Sequence, residues 1–305
     1  METEKWWTEE TVAVVTGANR GIGLEIVRLL ADQGLTVVLT ARKDNQHLSQ
    51  QARALLHQGN RNLVFHKLDV QSDDSVASFA EWLNNQFGGL DILINNAAVG
   101  GTEFDWDLLQ KHDMDFRKIV EDPTWADGLR EDYESAKECV DINYYGAKRT
   151  TKALLPLMRS SAAGPRIVNV SSCFGLLMLL RSETIGAQLS DMKNISEENI
   201  DSIISQFLED VKRGVKVEDS IWPRKFPTYS VSKVCLNAYT RVLGRDLEGK
   251  VWVNSVHPGY VRTEMTFGSG DLSSTEGAEN VVRVALFPPN GPSAQFFLEK
   301  QNHGF

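Results

Sequence analysis

Apolar runs and amphipathic stretches alternate along this chain with a rhythm that predicts its architecture. Residues 12–15 (VAVV) are an uninterrupted, mostly β-branched run. They lead through Thr16-Gly17-Ala18-Asn19-Arg20-Gly21-Ile22-Gly23 into Leu24, Ile26, Val27, Leu29 and Leu30, which recur at helical spacing. The reading is a buried strand, a tight glycine turn and a helix. Residues 35–40 form a second apolar strand, a helix is expected over about 45–58, and 63–68 form a third strand. Ser72-Asp73-Asp74 opens a helix with Val76, Phe79, Ala80, Leu83 and Phe87 on one stripe. A fourth strand over 91–94 ends in Asn95-Asn96-Ala97-Ala98. The rhythm then breaks over 99–132, which is polar, irregular and rich in aspartate, and reads as a long loop with short helices.

A long helix is expected over about 133–159, followed by a fifth strand at 166–170 that ends in Ser171-Ser172. A second interruption spans 174–228. Within it Ile200, Ile203, Ile204, Phe207, Leu208 and Val211 fall on one face of a helix started near Ser196. The remaining elements are a helix over about 229–247, a strand over 251–257, a helix over 276–286 and a short strand over 296–299. Apolar strands that do not alternate, separated by helices, predict a parallel sheet covered on both faces. The fold class expected is therefore α/β, a doubly wound Rossmann-type sheet. It forms a single domain over 1–305 with insertions at about 99–132 and 174–228, since no linker or repeat divides the chain. Ligands of such sheets gather at the carboxyl ends of the strands.

Charge and cysteine content narrow the partners. A formal net charge of −9 argues against a nucleic-acid or anionic-membrane surface. No run approaches the roughly 18 apolar residues of a membrane span, and the acidic start METEKWWTEE has no apolar run of a targeting segment. Cys139, Cys173 and Cys235 are odd in number and lack C-x-x-C spacing, which fits reduced thiols in the cytoplasm and no metal site.

The candidate chemistry lies at strand ends. Gly17, Gly21 and Gly23 are spaced G-x-x-x-G-x-G where a helix opens, so unpaired N–H groups and the helix dipole can receive a phosphate. In dinucleotide sites an acid at the end of the second strand binds the ribose hydroxyls. Here that end is Thr40-Ala41-Arg42, and Arg20 and Arg42 supply two cations suited to a 2′-phosphate; ordinary surface charge is the alternative. The pattern Y-x-x-x-K occurs three times, at Tyr133/Lys137, Tyr144/Lys148 and Tyr229/Lys233. Only Tyr229 follows the fifth strand and its serines. One helical turn puts Lys233 on the face of Tyr229, where it is expected to lower the phenol pKa for general acid work.

TGANRGIG, the NNAA run, N-x-x-G, the strand-end serine, Y-x-x-x-K and P-G-x-V-x-T together resemble the short-chain dehydrogenase/reductase family over nearly the whole chain. The two insertions and the ending EGAENVVRVALFPPNGPS resemble its monomeric carbonyl reductase branch and that branch's plant relatives, among them salutaridine and menthone reductases. The resemblance implies Tyr229 as proton donor and Lys233 as the residue that holds the nicotinamide ribose. It implies Ser172, with Ser171 the alternative, on the substrate oxygen, and Asn143 on a relay water behind Lys233. It implies Asp69 at the adenine, Asn95 beneath the cofactor and Thr263 at the carboxamide. Asn19, Ile22, Val70, Ala97, Pro258, Gly259 and Val261 complete the implied cofactor set.

Ala98 stands where the family usually has glycine, and the insertions make the substrate pocket unsafe to align. The activity implied by the resemblance is NADPH-dependent reduction of a ketone or aldehyde by a monomer, with an apolar cyclic ketone such as a monoterpenone or alkaloid ketone as substrate. Phe104, Trp106, Leu177, Met178, Trp222, Tyr260, Met265 and Phe267 are the expected apolar lining. The alternatives are a general carbonyl reductase acting on reactive aldehydes, reduction of a conjugated C=C bond, and a non-catalytic NADP(H)-binding regulator. In this branch the resemblance links C=C reduction to loss of the donor tyrosine, and Tyr229 is present.

Overall fold

In the computed structural model, which describes residues 5–57, 62–104, 129–161, 163–215 and 219–305, the first apolar run lies near the middle of an eight-stranded sheet. This strand, β1 (Val12–Val15), pairs in parallel with β2 (Thr36–Ala41) on one side and β4 (Ile92–Asn95) on the other. β3 (Leu63–Lys67) extends the sheet beyond β2; β7 (Arg166–Val170), β8 (Trp252–His257), β9 (Gln295–Leu298) and β10 (Gln301–His303) extend it beyond β4, in the order β10-β9-β8-β7-β4-β1-β2-β3. All pairings are parallel except β9 with β10, which are antiparallel.

Successive side chains of a strand point to opposite faces. Val12 and Val14 therefore enter one core while Ala13 and Val15 enter the other. That is why the strands read as unbroken apolar runs. The second core lies under α1 (Gly21–Asp32), α2 (Gln50–His57) and α9 (Ser274–Ala285). The first lies under α3 (Asp73–Phe87), α4 (Tyr133–Val140), α5 (Ala147–Leu154), α6 (Glu183–Ser190), α7 (Glu197–Lys212) and α8 (Pro227–Asp246).

Three local features depart from the expectations. The helix expected over 133–159 is interrupted by a π turn, Asp141–Gly146, between α4 and α5. The loop with short helices expected over 99–132 holds a two-residue ribbon, β5 (Glu103–Phe104) against β6 (Leu129–Arg130); residues 105–128 lie outside the described residues. A final edge strand, β10, has no apolar signature because all three of its residues are exposed.

The helix expected inside the second insertion is α7, closed at its start by a capping box between Ser196 and Asn199. Its Ile200, Ile203, Ile204 and Phe207 are buried, in contact with α4 and α8. A polar clamp fastens the same helix. Asp201 accepts hydrogen bonds from Tyr144 Oη (2.9 Å) and Lys148 Nζ (2.8 Å), and Lys148 also reaches Glu197 at 3.2 Å. One of the three Y-x-x-x-K pairs is thus a fastener for the insertion.

Candidate active site

The glycine turn is shaped as much by its protein neighbours as by anything it binds. Gly17 has φ +64°, and a Cβ there would come within 2.7 Å of Ala97 Cα. A Cβ at Gly23 would collide with Asn96 Nδ2. Asn96 Nδ2 donates to Thr16 O (2.9 Å) and Gly17 O (3.1 Å), while Thr16 Oγ1 accepts from the Asn96 and Ala97 N–H groups, both at 3.0 Å. The end of β4 therefore braces the turn, through Thr16 and Asn96, neither of which sequence reasoning assigned. The signal was the second asparagine of NNAA.

Beyond the brace, α1 begins at Gly21 with no side-chain cap from Arg20 and no acidic residue in its first turn. Its leading N–H groups and positive dipole end thus suit a phosphate. The loop after β8 closes over this point. Thr263 Cγ2 lies 3.7 Å from where a Gly21 Cβ would stand, and Glu264 pairs with Arg20 at 2.5 Å. Within that loop Pro258 O accepts from Asn280 Nδ2 (2.9 Å), Gly259 has φ +100°, and Val261 is buried.

Several residues of the implied cofactor set have side chains engaged with the protein. Asn19 Oδ1 accepts from Ser49 N (2.7 Å) and Asn19 O from Ser49 Oγ (2.6 Å), which ties the glycine turn to the start of α2. Asn95 Nδ2 donates to Thr151 Oγ1 (3.0 Å) and Asn169 Oδ1 (2.9 Å), inside the layer between sheet and α5. Val70 packs toward Gly146 and its carbonyl accepts from Arg149. Asp69 Oδ1 accepts from Gln71 N (3.1 Å). Ile22 rests on the second core, and Arg42 lies 3.8 Å from Glu138.

On the other side of the sheet's carboxyl edge, β7 ends at Ser171-Ser172. Ser172 Oγ accepts from Phe174 N (3.2 Å), capping a short 3₁₀ turn, and lies close enough to Tyr229 to favour the ionised form of its phenol. Ser171 Oγ is buried without a hydrogen-bond partner among the described residues. Of the two serines, Ser172 is the one that influences the charge of the phenol. Lys233, only 2% exposed, donates from Nζ to Val170 O at 2.8 Å and stands 5.5 Å from the Tyr229 ring centroid. Its two other N–H groups have no acceptor among the described residues, so they suit the hydroxyls of a ribose.

Asn143, 1% exposed, sits in the π turn, a device common at functional sites. Its Nδ2 donates to Ser232 Oγ and Val99 O, each at 3.0 Å, and Ser232 Oγ donates to Tyr229 O at 2.7 Å. The four residues implied by the resemblance are thus brought together from β7, the π turn and α8.

The electrostatics of the chain by itself differ from the expectation. Burial is the dominant influence on Tyr229 and pushes its phenol above the ordinary value, against the opposing influence of the Ser172 hydroxyl and with help from Cys139 and Cys173. Burial also pushes Lys233 down to about 8. Lys233 does not reach the phenol oxygen, so the lowering expected from it is absent here. Of the other two pairs, Tyr144/Lys148 belongs to the α7 clamp, and the Tyr133 ring carries Lys212 at 5.5 Å.

The expected apolar lining divides. Met178 is 82% exposed, Met265 and Phe267 are partly exposed, and Tyr260 Oη pairs with Ser269 Oγ. Leu177 packs on the first core. Trp222 is a correction: it is 2% exposed, packs edge-on to Phe207 and donates to Asp210, so it is core. Trp106 and the side chain of Phe104 lie outside the described residues. The three cysteines are free thiols, and among the described residues no helix is long and apolar enough to cross a membrane.

The family model for short chain dehydrogenases matches residues 11–183. The chain is 45% identical over 298 residues to (+)-neomenthol dehydrogenase of Arabidopsis thaliana, covering 96% of this chain and 98% of that one. It is 43% identical over 301 residues to (-)-isopiperitenone reductase of Mentha piperita, covering 93% and 95% of the two chains. The solved structure of salutaridine reductase from Papaver somniferum superposes with a TM-score of 0.86 at 43% identity, over 95% of this chain and 99% of that one. Likeness of this extent, carried from the glycine turn to the last strands, has one meaning: the chain belongs to the short-chain dehydrogenase/reductase family and is an oxidoreductase.

Proposed function

We propose that this single-domain, monomeric enzyme uses NADPH to reduce a compact apolar ketone, of the alicyclic monoterpenone or alkaloid kind, to its alcohol. The observation that carries the reading is the gathering of Ser172 and Tyr229 beside the buried Lys233, 5.5 Å from the Tyr229 ring, and the buried Asn143. A nicotinamide cofactor, when bound, supplies hydride. Tyr229 gives its phenolic proton to the carbonyl oxygen, and Ser172 donates a hydrogen bond to that oxygen as negative charge develops. Lys233 places a buried cation beneath the phenol. Asn143 holds the first turn of α8 through Ser232.

NADPH is favoured by the absence of an acid at the end of β2 and by Arg20 and Arg42, two exposed cations each paired, among the described residues, with a surface carboxylate. Support for the substrate class comes from the menthane and alkaloid names of the relatives and from Met178, Met265 and Phe267 at the surface. The monomer rests on α7, whose buried face covers α4 and α8. We place the enzyme in the cytoplasm on its three free thiols.

The test is a panel of alicyclic ketones, keto acids, sugars and short aldehydes, followed by NADPH consumption and chiral analysis of products. Alicyclic ketones such as menthone are expected to give the highest kcat/KM. A charged keto acid in first place rejects the substrate class, and a saturated ketone as product rejects carbonyl reduction. Small aldehydes in first place support the general carbonyl reductase instead. Tight NADPH binding with no turnover identifies a regulator.

A further inference from the structure

The helix that carries Tyr229 and Lys233 is not capped by the residue beside it. The residue before α8 is Phe226, in the left-handed region at φ +46°, and Pro227 follows at the first helical position. A phenylalanine has no side-chain oxygen with which to accept a first-turn N–H, so the local sequence leaves that donor without a cap. Glu131 supplies it from far away in the sequence. Its Oε2 accepts from Thr228 N at 3.0 Å and from Thr228 Oγ1 at 2.6 Å, while its Oε1 accepts from Thr102 Oγ1 at 3.1 Å.

These contacts join three places. Glu131 directly follows β6, Thr102 directly precedes β5, and Thr228 directly precedes Tyr229. One carboxylate therefore holds both ends of the first insertion against the first turn of the helix that bears the phenol. Thr228 is wholly buried, which leaves it little room to shift if the carboxylate is lost. A negative group at this end of a helix is also favoured by the dipole.

We propose that Glu131 is a positioning residue for the reaction: it acts as the N-terminal cap of α8 and thereby sets Tyr229 against Ser172. Through Thr102 it makes that placement depend on the first insertion. The proposal rests on the assignment of Tyr229 as the proton donor.

The variants Glu131→Ala, Glu131→Gln and Thr228→Val are assayed with NADPH and the best ketone of the panel, and NADPH Kd is read from nicotinamide fluorescence. Misplacement of a reacting group by about an ångström costs on the order of 100-fold. Glu131→Ala is expected to lower kcat about 10- to 100-fold with the NADPH Kd changed by less than about threefold. Glu131→Gln keeps a carbonyl acceptor and is expected to recover most of kcat, a rescue that a loss of folding alone would not show. In a Tyr229→Phe background the residual rate should be unaffected by Glu131→Ala, because the group being positioned is gone.

A Glu131→Ala enzyme with kcat within about twofold of the parent overturns the proposal, whatever its melting temperature. Equal losses in the Tyr229 and Tyr229→Phe backgrounds also overturn it. Should Glu131→Ala fail to fold, Thr228→Val decides by the same readouts. A Tyr229→Phe enzyme of full activity removes the donor assignment and the proposal together, whereas an inactive one beside an unaffected Glu131→Ala removes the proposal alone.

Discussion

Ser172, at the end of β7, faces Tyr229, in the first turn of α8, closely enough to favour the ionised form of its phenol. Two hydroxyls from separate elements thus converge where a carbonyl oxygen can take a hydrogen bond from each. Tyr229→Phe is expected to cut kcat by about 10³-fold while leaving NADPH binding nearly intact, since only the acid is removed. Ser172→Ala should also lower kcat, and Ser171→Ala should not. Tyr133→Phe should leave kcat unchanged. Comparable losses in all of these variants by steady-state kinetics would contradict the assignment.

Arg20 and Arg42 flank the glycine turn and the end of β2, and each faces a surface carboxylate, Glu264 and Glu138 respectively. NADPH is expected to be preferred over NADH at least tenfold, about 1.4 kcal/mol. Arg42→Ala should raise KM for NADPH far more than KM for NADH. Glu138→Gln, which removes the competing anion, should lower KM for NADPH. Equal effects of Arg42→Ala on the two cofactors would show that the arginine does not read the 2′-phosphate.

Asp201 fastens the second insertion to Tyr144 and Lys148. Asp201→Ala leaves a buried phenol and a mostly buried ammonium short of an acceptor, and about 1–3 kcal/mol of stability should be lost. The measurement is a urea midpoint at constant slope. Tyr144→Phe should cost less, about 1 kcal/mol, and should not change the chemical step. Light scattering of the parent should give the mass of one chain. A parent dimer would mean that α7 leaves the helical face open.

Two buried groups give the stability a pH dependence of opposite sign. Burial pushes His257 from 6.5 down to about 4, and its Nδ1 has no hydrogen-bond partner among the described residues. The unfolded chain then binds more protons between those values, so this contribution, at most about 3 kcal/mol, is complete above about 6.5 and lost as pH falls toward 4. Burial pushes Glu131 from 4.5 up to about 7. The folded chain binds more protons in that window, so this contribution is present below about 4.5 and lost as pH rises through 7. His257→Gln should flatten the acid limb of a stability–pH curve, and Glu131→Gln should remove a decline toward neutrality. A parent-like slope in either variant would contradict its assignment.

Much of the fold was legible in the residues alone. Apolar runs without alternation announce strands buried on both faces, because such strands must feed two cores at once, as Val14 and Val15 do. The capped amphipathic helix at Glu197–Lys212 was legible for the same reason: period and cap are set by residues a few positions apart. Tyr229 was separable from two identical motifs because its place after the fifth strand fixes which end of the sheet it reaches.

Tertiary structure decided what depends on partners distant along the chain. Asn95 and Asn96 are adjacent and chemically identical. One braces the sheet to α5 and the other holds the glycine turn, because successive residues leaving a strand face opposite ways. Trp222 could have lined a pocket until Phe207 of α7 packed against it. The second Y-x-x-x-K pair became a clamp only when Asp201 came within reach. Glu131 carries no local signal at all, since a helix cap is ordinarily sought at the residue beside the helix, and here Phe226 occupies that place. Periodicity and capping are short-range and are written in neighbouring residues. The partner of a buried polar group is set by packing, and only the folded chain brings it near.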